Sequence, residues 1–169
     1  RSQNADGGWG YTLGGASDAN STGLAAATLS TEQAAQAKAG RAARAYLGTI
    51  AGACEKGASG LPFQAGSAMN DLASAQALAG ITDGLDAEPA DRFARATTSC
   101  TAPLSTRVAR FLAAGIAKGK GLLPSAMDPT VADVNTTAWA VLGLVGAKQG
   151  AAQVRQATKA IATKASQTV

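Results

Sequence analysis

Eleven carboxylates, two cysteines and no histidine bound the chemistry open to this 169-residue chain. Without histidine, Ser-His-Asp and Cys-His nucleophile systems are excluded, and the commonest general base near neutral pH is missing. Asp83, Asp86, Glu88 and Asp91 offer oxygen ligands. Their spacing lacks the Asp-x-Asp-x-Asp-Gly order of a common calcium loop, so they read as a solvated linker. Asp18 and Asp133 each stand where a helix N-cap is needed; their functional alternative is a polar ring at a cavity mouth. Cys54 and Cys100 fit no zinc spacing, and no metal site is expected. They form either a disulfide, which requires an oxidising compartment, or two buried thiols. Gly7-Gly8 and Gly14-Gly15 flank a turn with neither a phosphate-loop lysine nor a preceding strand, which argues against nucleotide binding.

What remains is a set of binding candidates. Trp9, Tyr11, Phe63 and Trp139 stand beside turns or within apolar helices, where an aromatic either wedges units together or faces a ligand. Gln76 is the lone polar interior position between Leu72 and Ile81 and is the best single candidate for a ligand hydrogen bond, although a backbone partner would satisfy it equally. Asp18, Asn20 and Asn135 complete the candidate set as polar residues at helix starts.

These residues must be positioned by helices. Apolar residues make up 46% of the chain but aromatics only 4%; alanine dominates, each side chain buries little area, and helices have to approach closely to exclude water. The twenty glycines cluster at turns, and alternating β-branched runs are nearly absent, so the chain reads as all-α. A first short helix runs from Thr22 to Leu29. An amphipathic outer helix extends from Glu32 or Ala37 to Ala53, with Ala43, Tyr46, Leu47, Ile50 and Cys54 on its apolar face and Arg41 and Arg44 opposite. The Leu72–Ile81 stretch is an inner helix. Asp83 to Asp91 connects to one loose extra helix over Ala90–Thr98. Leu104, Val108, Phe111, Leu112 and Ile116 mark a second outer helix, with Arg107, Arg110 and Lys118 opposite. An inner helix begins between Asp133 and Thr137 and runs through Trp139 and Leu144, and a basic helix spans 151–165. No acidic residue follows Asp133, while Lys148, Arg155, Lys159 and Lys164 do. Such a tail contacts an acidic partner or an anionic surface, or is simply a solvated face, the commoner case. It has no aromatic platform for stacked bases, so nucleic acid is not expected. No stretch is long enough to span a bilayer.

Tyr46-Leu47 to Phe111-Leu112 is an interval of 65 residues, as is Asn70 to Asn135, which predicts repeated helical hairpins in units of about 1–30, 37–82 and 104–148. The first unit is short, and its own outer helix is expected upstream of Arg1.

Gln3-x-x-Asp6-Gly7-Gly8-Trp9 resembles the glutamine-tryptophan repeat of squalene-hopene-type cyclases, whose α/α-toroid fold is shared with protein prenyltransferase β subunits. Asp18-Ala19-Asn20-Ser21-Thr22 and the run from Asn70 to Leu78 are similar to helix starts in the intrinsic-factor and transcobalamin branch of that superfamily. The resemblance implies inner helices lining a central cavity, and six principal helices amount to roughly half of a toroid, so the chain is expected to be a portion of a longer protein. Departures bear on function. The cyclases' acidic cluster and aromatic-lined cavity have no counterpart, and prenyltransferase zinc needs a histidine. The expectation is a non-catalytic, exported or cell-surface module. It binds an apolar or cofactor-like small molecule, of cobalamin or prenyl type in line with the resemblance, or a protein partner, through its inner-helix face. A second copy or a further domain would cover what that face leaves exposed. The alternative is the repeat half of a cyclase or prenyltransferase-like enzyme with its catalytic acids elsewhere.

Overall fold

The computed structural model describes residues 3–29, 33–82 and 99–167. Six helices carry these residues: α1 (Ala19–Ala27), α2 (Ala34–Ile50), α3 (Asp71–Ile81), α4 (Leu104–Lys118), α5 (Val134–Gly146) and α6 (Ala151–Ser166). The chain is all-α in its main elements. The acidic run from Asp83 to Asp91 and the expected helix over Ala90–Thr98 lie outside the described residues.

The odd-numbered helices form one layer, in which α3 packs between α1 and α5. The even-numbered helices lie over them: α2 on α1 and α3, α4 on α3 and α5, α6 on α5 and α4. Leu47, Leu78, Leu112, Ile116 and Leu144, all fully buried, fill the space between the layers. Alanines and glycines let the inner layer close up, and seven of the eleven residues of α3 are buried. α1 and α3 run parallel, since Asn20 meets Gln76 while Gly23 and Ala26 meet residues up to Gly80.

Each inner helix is entered through a small antiparallel pair absent from the sequence-based expectation: β1 (Trp9–Gly10) with β2 (Ser17–Asp18), β3 (Leu61–Pro62) with β4 (Met69–Asn70), and β5 (Leu123–Pro124) with β6 (Ala132–Asp133). Strands of two residues are too short to show alternation, which is why periodicity missed them. The last residue of each pair caps the helix that follows. Asp18 accepts from the Ser21 N–H, Asn70 from Ala73, and Asp133 from Asn135 and Thr136. The cap of the third unit is therefore Asp133, and the match of Asn70 to Asn135 pairs a cap with an exposed residue inside the first turn.

A truer repeat marker is a hydroxyl four residues after each cap. Thr22 accepts the Trp9 N–H at 2.9 Å, Ser74 the Leu61 N–H at 2.8 Å and Thr137 the Leu123 N–H at 2.9 Å. The bond ties the first strand of each pair to the helix that follows the second. Leu123 and Thr137 are fully buried, so Thr137→Val should leave an N–H unpaired away from water and destabilise by about 1–3 kcal/mol, with Thr137→Ser recovering most of it. Urea unfolding of the two variants checks this; full stability in Thr137→Val, which keeps the methyl group, with the loss confined to Thr137→Ser would show that the methyl group matters rather than the bond.

Helix boundaries differ from expectation in α1 and α2. α1 begins at Ala19, three residues earlier than Thr22, directly after its cap Asp18. α2 stops at Ile50 rather than Ala53, so Cys54 lies in the following loop and not on the helix face. There it forms a disulfide with Cys100, Cα to Cα 5.7 Å. Arg107 and Arg110 of α4, expected on a solvated face, are half-buried and grip that loop: Arg107 donates to Ser59 Oγ at 3.1 Å and Arg110 to the Gly57 carbonyl at 3.0 Å.

Candidate functional site

Of the eight binding candidates, Asn20 and Gln76 are brought into contact. The Asn20 side-chain amide donates to Gln76 Oε1 at 2.7 Å, joining α1 to α3. The Gln76 oxygen is thus engaged by a neighbouring helix rather than left for a ligand. Asp18 is buried at the end of β2. One carboxylate oxygen caps α1 while the other has no hydrogen-bond partner among the described residues. Beside it the Tyr46 hydroxyl donates to the Ser17 carbonyl at 2.8 Å, and burial, with Asp6 and Asp18 adding negative charge, pushes its pKa up to about 12. Trp9 is half-buried in β1, and Trp139 packs against the core from α5. Tyr11 and Phe63 project from the loops of the first two strand pairs, the former 84% exposed. Asn135 is exposed.

A well-formed concavity lies elsewhere. A groove of about 580 Å³ is lined by the C-terminal half of α4, the start of α3 and the β5–β6 loop. None of the eight candidates lines it. Its walls are Phe111, Leu122, Pro124, Pro129 and Val131, with Ala114 and Gly115 along α4 and Ala58 at one end. The Phe111 ring lies against Gly60, where an added Cβ would come within 3.0 Å of it. The volume falls in the usual range of small-molecule sites, roughly 300–1,000 Å³.

Two charges enter this apolar trough. Asp71, the first residue of α3, has its carboxyl pKa raised, chiefly by burial and with partial relief from Lys118 across the groove. A carboxyl that binds its proton more tightly when folded adds stability below the unfolded pKa, about 3.9, and that contribution is lost as pH rises through the folded value. Asp71→Asn should therefore gain stability relative to the native chain as pH is raised from 3 to 7. Thermal melts across that range check the sign, and a constant difference would show that burial of this carboxyl has no energetic consequence. Asp133 is shifted the opposite way, below its ordinary value, first by the nearby Thr136 side chain and then by the Thr136 and Asn135 N–H groups that it accepts from, against an opposing effect of burial.

Sequence reasoning missed the groove for a definite reason. Phe111 carries the helical spacing of a core residue and does pack on the core, but its outer edge is left open by the neighbouring loop. Pro124 and Pro129 flank the β5–β6 loop, and that this loop lines one groove together with α4 depends on contacts no local pattern encodes. Among the described residues no group of three His, Cys, Asp or Glu side chains is placed to hold a metal ion, and no helix is long and apolar enough to cross a membrane.

Fold and groove together define a predominantly helical, two-layer protein with an apolar cleft in the size range of small-molecule sites. No protein family, curated protein or solved structure matches the chain. The likeness to toroid proteins accordingly rests on the residues quoted for it.

Proposed function

We propose that this chain is a non-catalytic binding module that holds an apolar small molecule, or the apolar part of a larger one, in the groove on α4. The observation that carries this reading is the groove itself: about 580 Å³ of largely apolar wall, with Asp71 and Lys118 offsetting each other's charge. Apolar surface at this density is stabilised by a guest that displaces water from it. The binding face in this reading is the cleft; at the α1–α3 contact the Asn20 amide donates to Gln76 Oε1, while Asn20 Oδ1 is buried without a hydrogen-bond partner among the described residues. The Cys54–Cys100 disulfide supports an exported protein.

A neutral fluorophore such as N-phenyl-1-naphthylamine tests the proposal. It should bind the native chain with one site and fail to bind Ala114→Trp, whose indole fills the groove from an exposed position on α4. Undiminished binding to that variant would place the apolar site elsewhere.

A further inference from the structure

Beside the groove, and sharing Leu122 with it, is a second recess of about 380 Å³ between α6 and the turn that follows α4. Its charged lining is Lys120, Lys159 and Lys164, with Gln156, Thr163 and Gln167 as neutral donors, and among the described residues no carboxylate lines it. The recess is built by a close approach. A Cβ on Gly121 would come within 3.0 Å of the Ala160 Cβ, so α6 can lie against this turn only because a glycine occupies the position. The turn is pinned by backbone bonds from Gly121 N–H to the Ile116 carbonyl at 2.8 Å and from Lys120 N–H to Ala117 at 3.3 Å. Lys120 itself sits in the left-handed region at φ 54°. Lys120 and Lys159 are like charges on one recess, in a stretch with no acidic residue after Asp133; they repel one another, and an anion relieves that repulsion.

We infer that the ligand of the groove is an anionic amphiphile: its apolar body lies along Phe111 and Leu122, and its oxyanion head, a phosphate or a group of similar charge, is held by Lys120 and Lys159 across Leu122. The inference rests on the groove reading and adds the chemistry of the head. Lysine suits this role as a compact cation on a flexible stem, able to follow a head group without a fixed bidentate geometry. The interaction lies near the surface and is weakened by salt.

The experiment is displacement of the neutral fluorophore from the native chain, at low ionic strength, by decanol, decyl phosphate and inorganic phosphate. Decyl phosphate should displace at least tenfold more effectively than decanol. In the double variant Lys120→Asn/Lys159→Gln, which removes two charges and keeps a residue tolerant of positive φ at 120, that advantage should fall to within about twofold while decanol is unaffected. Equal displacement by decanol and decyl phosphate on the native chain would overturn the head-group site and leave the groove reading standing. Displacement of decyl phosphate by equimolar inorganic phosphate would show a site for a free oxyanion, which also overturns the amphiphile. A fluorophore that does not bind at all would defeat the groove reading and this inference together.

Discussion

Removing the Cys54–Cys100 disulfide, by reduction or by Cys54→Ala/Cys100→Ala, is expected to lower the stability of the folded chain by about 4 kcal/mol. The two cysteines are 46 residues apart, and a cross-link closing a loop of that length removes about that much chain entropy from the unfolded ensemble. Set against a typical domain stability of about 5–15 kcal/mol, the loss takes a large part of the total. The enclosed segment contains β3, β4 and α3, the element against which α1, α2, α4 and α5 all pack. The native geometry near the bridge has other supports. The turn at 55–58 closes on itself through paired Glu55 and Ala58 bonds at 2.9 Å, and the Ser59 N–H, Arg107 and Arg110 join it to α4. The folded state should therefore survive reduction with its groove wall at Ala58 in place, and the effect should appear in the unfolded state. Urea unfolding would then show a lower midpoint together with a steeper dependence on denaturant, because the uncrosslinked chain exposes more surface. A change below about 1 kcal/mol would mean that the unfolded chain is already held compact between these two positions.

Much of this architecture was legible because it is written in local spacing. The heptad-like series from Leu104 to Ile116 placed α4 and its core face, and the near absence of polar residues between Leu72 and Ile81 marked α3 as enclosed. Interval arithmetic was less secure. Leu47 and Leu112 are equivalent core residues, but Asn70 and Asn135 are not equivalent, since a cap can be Asp or Asn and residue identity alone does not separate a cap from a first-turn position. The hydroxyls Thr22, Ser74 and Thr137 carried the real register, and their spacing to the strand residues they accept from, 13, 13 and 14 residues, was readable in the chain. It went unnoticed because serine and threonine near a helix start have so many commoner uses. The groove lay beyond sequence reasoning altogether. Asp71 is an ordinary first-turn acid by pattern, and only the fold of the β5–β6 loop turns it into a carboxyl facing an apolar wall.

Gly23 and Gly48 offer the same substitution in two helices with opposite expected signs. In an open helix position glycine is less favourable than alanine by about 1 kcal/mol. Gly48 of α2 is exposed, and an added Cβ would meet nothing within 4 Å. Gly48→Ala should therefore stabilise by about that amount. Gly23 of α1 gains the same local preference and loses far more, because its Cβ would fall inside 3.0 Å of the Gln76 carbonyl oxygen and the Ala77 Cα. Those are backbone atoms of a helix buried on nearly every side, so no rotamer change relieves the contact. Gly80 of α3 faces the reciprocal contact with Gly23 and Ala26. The two helices must move apart, which opens the alanine-lined seam, stretches the Asn20–Gln76 bond and forfeits dispersion contacts along both helices. Gly23→Ala is expected to cost about 2–3 kcal/mol net, and Gly23→Val, with a branched side chain in the same place, to exceed the usual range for overpacking and to leave little folded protein. Circular dichroism melts of the three variants read the result directly. If Gly23→Ala were neutral or stabilising like Gly48→Ala, the close approach of α1 and α3 would be wrong, and with it the claim that this alanine-rich chain makes its core by bringing backbones together rather than by filling space with large side chains.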